Sequence, residues 1–242
     1  MSDILKIEPI DNWLKKNNWS FYKHQVETVK LSENGFDVLL VAPTGGGKTL
    51  AGFLPSLNDL INNKSEKNKL HTLYISPLKA LTIDVHRNLT SPIEDQCLDI
   101  RVETRTGDTS AYKKNRQKIL PPHMLMTTPE SLALLLSNKE SKDYFKDLKY
   151  LIIDEIHVLV NSKRGDLLSL NLSRIHSISP DCKRIGLSAT VKNKETVLKF
   201  LTSKNKAKIL DVRETSFPKI EILDTKTRVP WSGHMASYAI KD

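Results

Sequence analysis

The residues best suited to phosphate chemistry lie together at positions 42–49, which read Ala-Pro-Thr-Gly-Gly-Gly-Lys-Thr and follow the apolar run 37–41. A short buried strand, a glycine loop and a helix opening at Lys48 is the order in which a nucleotide phosphate chain is cradled. After Thr44, the residues Gly45, Gly46 and Gly47 can take backbone angles closed to other residues and let N–H groups approach phosphates without a Cβ in the way. Lys48 would set its charge on the β- and γ-phosphates, and the Thr49 hydroxyl would complete a magnesium shell beside them. The strict pattern has Gly where Ala42 stands, so the reading needs support from the rest of the chain.

That support begins at Asp154-Glu155-Ile156-His157, which ends the apolar run 150–153. Adjacent carboxylates are costly to bury as anions unless they are paired or bound to a metal. Asp154 is suited to hold Mg²⁺, directly or through water, and Glu155 to orient and deprotonate the water that attacks a γ-phosphate. A solvated Asp-Glu pair capping the next helix is the alternative. His157, coming after the acids, would relay the state of the nucleotide to the rest of the site. Ser188 and Thr190 flank Ala189 at another strand end, where two hydroxyls can hydrogen-bond across to the acidic cluster. Gln25 offers both a donor and an acceptor and can read the edge of an adenine, or it is simply a polar position on a helix face.

Three further segments fall at strand ends and carry Pro77 and Lys79, Thr106 and Gly107, and Thr128 and Pro129. Hydroxyls, backbone amides at helix starts and a lysine suit sugar-phosphate contacts that position a nucleic-acid strand without reading its sequence. Helix N-capping by Thr128 and Asp108 would account for the same residues unaided.

The elements that must position these groups alternate down the chain. Apolar runs predict strands at 37–41, 70–75, 100–104, 124–127, 150–153 and 184–187, with shorter ones at 208–212 and 219–223. Helical spacing predicts helices at 10–17, 21–31, 48–62, 78–89, a strongly basic one at 109–120, and others at 129–136, 167–178 and 194–201. Near-continuous apolar strands alternating with helices mean an α/β fold, a parallel sheet covered on both faces. Ligands of such sheets bind beyond the carboxyl ends of the strands, and all the segments above fall there.

At 242 residues the chain holds one large α/β domain or two small ones. Thirty-seven Lys and Arg against 28 Asp and Glu leave a net charge of +9, a tilt toward a polyanionic partner. No stretch approaches the ~18 apolar residues of a membrane span, and the N-terminus lacks a basic region followed by an apolar one. Cys97 and Cys182 stand in no metal-binding spacing, which fits a reducing cytosol, a cytoplasmic location and two core thiols.

Taken together and in order, these segments resemble superfamily 2 helicases of the DEAD/DEAH type. Gln25 is similar to the adenine-reading glutamine, 42–49 to motif I in a form where Ala at the first position is normal, 154–157 to motif II, and 188–190 to motif III. Pro77-Leu78-Lys79, Thr106-Gly107-Asp108 and Thr128-Pro129-Glu130 resemble the motifs that contact nucleic acid. Within the superfamily, Asp-Glu-Ile-His together with 74–81, 127–132, 187–191 and Val229-Pro-Trp-Ser-Gly-His234 resembles the large helicase-related (Lhr) family. The resemblance implies a RecA-like P-loop NTPase fold. It also implies ATP and Mg²⁺ as cofactors, and 3′-to-5′ translocation on single-stranded DNA with unwinding of duplexes or DNA–RNA hybrids.

It implies as well a second RecA-like domain bearing an arginine finger, a residue worth ~10³ to 10⁵ in rate. On this expectation 1–212 is the first motor domain, 213–242 the linker toward a second domain missing from the chain, and the isolated motor is poorly active. An RNA helicase motor and a non-catalytic nucleotide-binding remnant remain the alternatives.

Overall fold

The structure, a computed structural model, describes residues 7–63, 68–189, 191–202 and 206–212. Thr190, the strand expected at 219–223 and the linker expected at 213–242 lie outside the described residues. The strands are β1 (Asp37–Val41), β2 (Thr72–Ile75), the polar, half-buried β3 (Val102–Arg105), β4 (Met124–Thr127), β5 (Tyr150–Ile153), β6 (Lys183–Ser188) and β7 (Ala207–Asp211). Two helices, α1 (Glu8–Lys16) and α2 (Lys23–Glu33), precede β1, and α3 (Lys48–Asn62) follows it. Then come α4 (Lys79–Asp95), α5 (Ala111–Ile119), α6 (Pro129–Leu136), α7 (Ser141–Phe145), α8 (Ile156–Leu159), α9 (Lys163–Ile178) and α10 (Lys194–Leu201).

All pairings are parallel, in the order β3-β4-β2-β5-β6-β1-β7. Alternation along each strand divides the core between the two faces. Val38, Leu40, Tyr74, Ile152 and Leu187 point to the face covered by α1 to α4, with Phe53, Leu57 and Leu89 among their partners. Leu39, Val41, Ile75, Leu151 and Ile153 point to the face covered by α6 to α10. All four residues of β5 are buried. Since burying a Leu or Ile side chain contributes ~1.5–3 kcal/mol, this strand is fixed in the middle of the sheet, and with it the acids that follow.

At the opposite end of β1 the buried Asp37 carboxylate accepts from the Arg184 amide at 2.8 Å and the Thr202 hydroxyl at 2.6 Å, tying β1 to β6 and to the end of α10. The Arg184 guanidinium donates to the carbonyls of Leu201 and Leu172, so its burial leaves polar atoms satisfied.

The structure corrects several expectations. Helix α4 runs on to Asp95 instead of ending at 89, because Pro92 removes one N–H but sits buried beside Ile93 on the packed face. Helix α5 begins at Ala111, not 109, because Ser110 is its N-cap, accepting from the Lys113 amide. The helix expected at 167–178 begins at Lys163, where Ser162 caps the Gly165 amide. Two short helices, α7 and α8, are too brief for a periodic signal. Cys182 is a core thiol as expected, but Cys97 is exposed, in the left-handed position (φ 50°) just past the end of α4. Gly165 is required by close approach: a Cβ there would lie 2.0 Å from the Leu159 carbonyl oxygen, which seats α9 directly against α8. Among the described residues no helix is long and apolar enough to cross a membrane.

Candidate nucleotide and nucleic-acid site

Strand order sorts the candidate segments into two groups along one rim. The ends of β5, β6 and β1 are neighbours and carry Asp154-Glu155, Ser188 and the glycine loop. The ends of β3, β4 and β2 are neighbours and carry Thr106-Gly107, Thr128-Pro129 and Pro77-Lys79.

Within the first group the loop turns on Gly45 and Gly47, at φ 79° and 68°. Its carbonyls are tied inward. Lys48 Nζ donates to Ala42 O at 2.8 Å and Pro43 O at 2.9 Å, and His24 Nε2 donates to Gly46 O at 2.8 Å. Gln25 Nε2 donates to Gly47 O at 3.1 Å, and the Ala51 amide does the same at 3.1 Å. The Gly46 amide also turns inward, donating to Pro43 O at 3.1 Å; the first amides of α3 have no partner within the helix, the polarity that suits an anion. Burial holds the His24 ring below its ordinary pKa, against a smaller opposite pull from the Gly46 carbonyl, which favours the neutral ring that makes this bond.

The Gln25 amide faces the loop more than open space. It is 2% exposed, and its Oε1 accepts the Tyr22 amide at 2.9 Å, the N3 arm of a capping box at the start of α2. It also lines a cleft of roughly 390 Å³ with Leu14, Trp19, Tyr22, Gly47 and Leu50. Trp19 and Tyr22 are 58% and 55% exposed there, and the Tyr22 ring stacks on His24 at 5.4 Å. Exposed aromatic rings beside a phosphate loop offer a face to a planar base. Neither ring was expected at the site from the sequence; the signal for them is three aromatic residues, Trp19, Phe21 and Tyr22, within six positions of Gln25.

Period-two alternation carries Asp154 to the face of Tyr74 and Ile152, the same face that holds α3. Asp154 is 6% exposed. Its Oδ2 accepts the Tyr74 hydroxyl at 2.5 Å, and its Oδ1 accepts the Glu155 amide at 2.8 Å. Burial, together with the charge of Asp154, pushes the Tyr74 phenol far above its ordinary range, so it stays a donor. Glu155 sits in the left-handed region at φ 44° and ψ 41°, an uncommon conformation for a non-glycine residue. His157 Nδ1 lies 3.4 Å from Glu155 Oε2 and 3.2 Å from Ser188 Oγ, and the Ala42 amide donates to Ser188 O at 3.1 Å. The expected contact between Ser188 and the acidic cluster thus runs through His157 and reaches back to the loop.

The metal reading meets a restricted donor set. Among the described residues no three His, Cys, Asp or Glu side chains group as a metal site. Thr49 and Asp154 alone would leave most ligand positions to phosphate oxygens and water, which is how Mg²⁺ is ordinarily held. The residues therefore fit Mg²⁺ carried in by a nucleotide.

In the second group, Lys79 opens α4 and its ammonium bridges both Asp108 oxygens at 2.9 Å over Gly107. Lys114 Nζ donates to Gly107 O at 3.0 Å, so two cations flank an exposed glycine. Thr106, Thr128, Pro77 and Pro129 are buried. The Thr128 hydroxyl caps α6, accepting from the Ser131 amide, so N-capping accounts for that side chain while Asp108 is an ion-pair partner and no cap. A bidentate pair between Arg164 and Glu130, at 2.5 and 3.1 Å, and the bond from Asn171 Nδ2 to Pro129 O fasten this segment to α9.

A family model described as DEAD/DEAH box helicase matches residues 22–197. An "ATP-dependent helicase Lhr-Core protein 2" of Thermococcus barophilus is 40% identical over 207 residues, covering 80% of this chain and 24% of that protein. An "ATP-dependent helicase Lhr-Core" of Methanocaldococcus jannaschii is 38% identical over 230 residues, covering 89% of this chain and 27% of that one. The chain thus spans about a quarter of the length of these relatives. Among solved structures, the helicase Lhr of Mycobacterium smegmatis bound to ssDNA and AMP-PNP superposes with a TM-score of 0.75 at 34% identity, over 84% of this chain and 27% of that one. The Mss116p helicase, bound to ssRNA and AMP-PNP, matches at 22% identity with a TM-score of 0.76, over 86% of this chain and 43% of that one, and shares the RecA-like fold.

Proposed function

Because this chain belongs to the DEAD/DEAH box helicases, we propose that it is the nucleotide-binding motor domain of an ATP-dependent helicase of the Lhr type. The observation that carries the reading is the strand order, which gathers glycine loop, acids and Ser188 at one half of the rim and the segments of Pro77–Lys79, Thr106–Gly107 and Thr128–Pro129 at the other.

In this reading the loop amides and Lys48 bind the phosphates, and Lys48 exchanges its carbonyl partners for phosphate oxygens. The base enters the cleft beside Trp19, Tyr22 and Gln25. Thr49 and Asp154 hold Mg²⁺, which when bound supplies positive charge against the phosphates. Glu155 accepts the proton of the attacking water on its carboxylate. His157, between Glu155 and Ser188, transmits whether that carboxylate is engaged.

A single nucleic-acid strand crosses Pro77–Lys79, Thr106–Gly107 and Thr128–Pro129, contacted largely through backbone amides because most of those side chains are buried. The ssDNA and AMP-PNP of the mycobacterial relative support this partner and this nucleotide. The net charge of +9 suits a polyanion. The greater length of the relatives supports a further motor domain that closes over the nucleotide and brings an arginine finger to it.

Titration of a fluorescent ATP analogue into the chain and its Lys48→Ala variant tests the nucleotide site. Binding weakened by about two orders of magnitude is expected, the scale of the charge-assisted hydrogen bonds that an ammonium gives to phosphate oxygens. Unchanged affinity in a folded variant would overturn the reading.

A further inference from the structure

Tyr74 carries none of the roles so far assigned. It is 1% exposed near the end of β2, its ring stacked on Phe53 of α3 at 5.2 Å and 26°. A ring alone would fill that space, yet the hydroxyl is present and donates to Asp154 Oδ2 at 2.5 Å. The other carboxylate oxygen takes the Glu155 amide at 2.8 Å. One donor on each oxygen fixes both the rotation and the plane of the carboxylate, so its remaining lone pairs face a set direction. Register produces the contact: Tyr74 pairs with Ile152 on the neighbouring strand, and Asp154 follows two residues later on the same face. That face carries α3, whose first residues are Lys48 and Thr49.

We propose that Tyr74 is a positioning residue, holding the Asp154 carboxylate in the orientation that receives the Mg²⁺ of the bound nucleotide. The inference rests on the reading of Asp154 as a metal-holding group and deepens it. The bond also crosses the boundary between the two halves of the rim, since β2 leads into Pro77 and Lys79 while β5 leads into the acids. Groups that orient a metal's carboxylate ligand govern metal affinity without touching the metal.

Tyr74→Phe keeps the ring and its stacking and removes only the donor. A fluorescent ATP analogue is titrated into both proteins over a series of Mg²⁺ concentrations, with thermal melts alongside. Affinity without Mg²⁺ is expected to stay within about twofold, while the Mg²⁺ concentration at half-maximal effect rises about ten- to a hundredfold, the range over which losing a partner of a metal's ligand weakens metal binding. An unmoved Mg²⁺ midpoint in folded Tyr74→Phe overturns the inference. So does an equal loss of affinity with and without Mg²⁺, or a variant that fails to fold, because each marks a structural role only. Asp154→Ala separates the two levels. If it keeps the wild-type Mg²⁺ dependence, the metal reading of Asp154 fails; if it loses that dependence while Tyr74→Phe retains it, only the role of Tyr74 fails.

Discussion

Replacing Gly47 with alanine strikes the loop at its most constrained point. Gly47 sits at φ 68° and ψ 21°, where an L side chain costs about 1–2 kcal/mol. The new Cβ would lie 2.7 Å from Gln25 Nε2 and 3.1 and 3.2 Å from two carbons of the Tyr22 ring. Restoring an ordinary 3.4 Å contact moves the Gln25 amide back by about 0.7 Å, which strains or breaks its 3.1 Å bond to the Gly47 carbonyl. Losing a buried bond of this kind costs roughly 1–2 kcal/mol. The two effects together amount to about 2–4 kcal/mol charged against the native loop.

Because the loop lies at the rim, with Thr44 and Gly45 exposed, it can relax locally and the sheet beneath it stays intact. The penalty then falls on nucleotide binding, which needs the native loop, more than on global unfolding. The expected result is an affinity loss of about 30- to 1000-fold, each 1.4 kcal/mol being a factor of ten. The melting temperature should fall by less than about 8 °C for a domain of this size. Titration with a fluorescent ATP analogue and a thermal melt measure the two. Affinity within twofold of the wild type would refute the idea that this backbone angle and the Gln25 contact shape the site.

Two other changes probe the remaining parts of the molecule. Asp59 is held well below the usual carboxylate range by its hydrogen bond to His71, with Lys149 and Asn63 adding to it against the opposing effect of burial. A depressed folded pKa gives stability that is present above the unfolded value of ~3.9 and lost as pH falls through the folded value. Asp59→Asn should therefore lower stability at pH 7 and flatten its decline below about pH 4, read from urea melts across that range; parallel curves for the two proteins would contradict it. Lys79→Ala should weaken single-strand binding similarly for all sequences and reduce the slope of log affinity against log salt by about one, measured by fluorescence anisotropy. An unchanged slope would remove Lys79 from the phosphate contacts.

What the sequence determined by itself is local. The apolar strand before three glycines, the acids at the end of 150–153 and the alternation of strands with helices were enough for a parallel sheet with a phosphate loop at its rim. Each of those signals is set by neighbours a few residues apart. Tertiary structure decided what depends on distant pairing. Only the order β3-β4-β2-β5-β6-β1-β7 separates the rim into two halves, since periodicity says nothing about which strand lies beside which. Only packing shows that Gln25 is turned onto the loop and that Asp108, readable as a cap, is instead the ion-pair partner of Lys79. The hydroxyl of Tyr74 and the carboxylate of Asp154 are 80 residues apart in the chain and 2.5 Å apart in space, and the pairing of β2 with β5 is the physical reason.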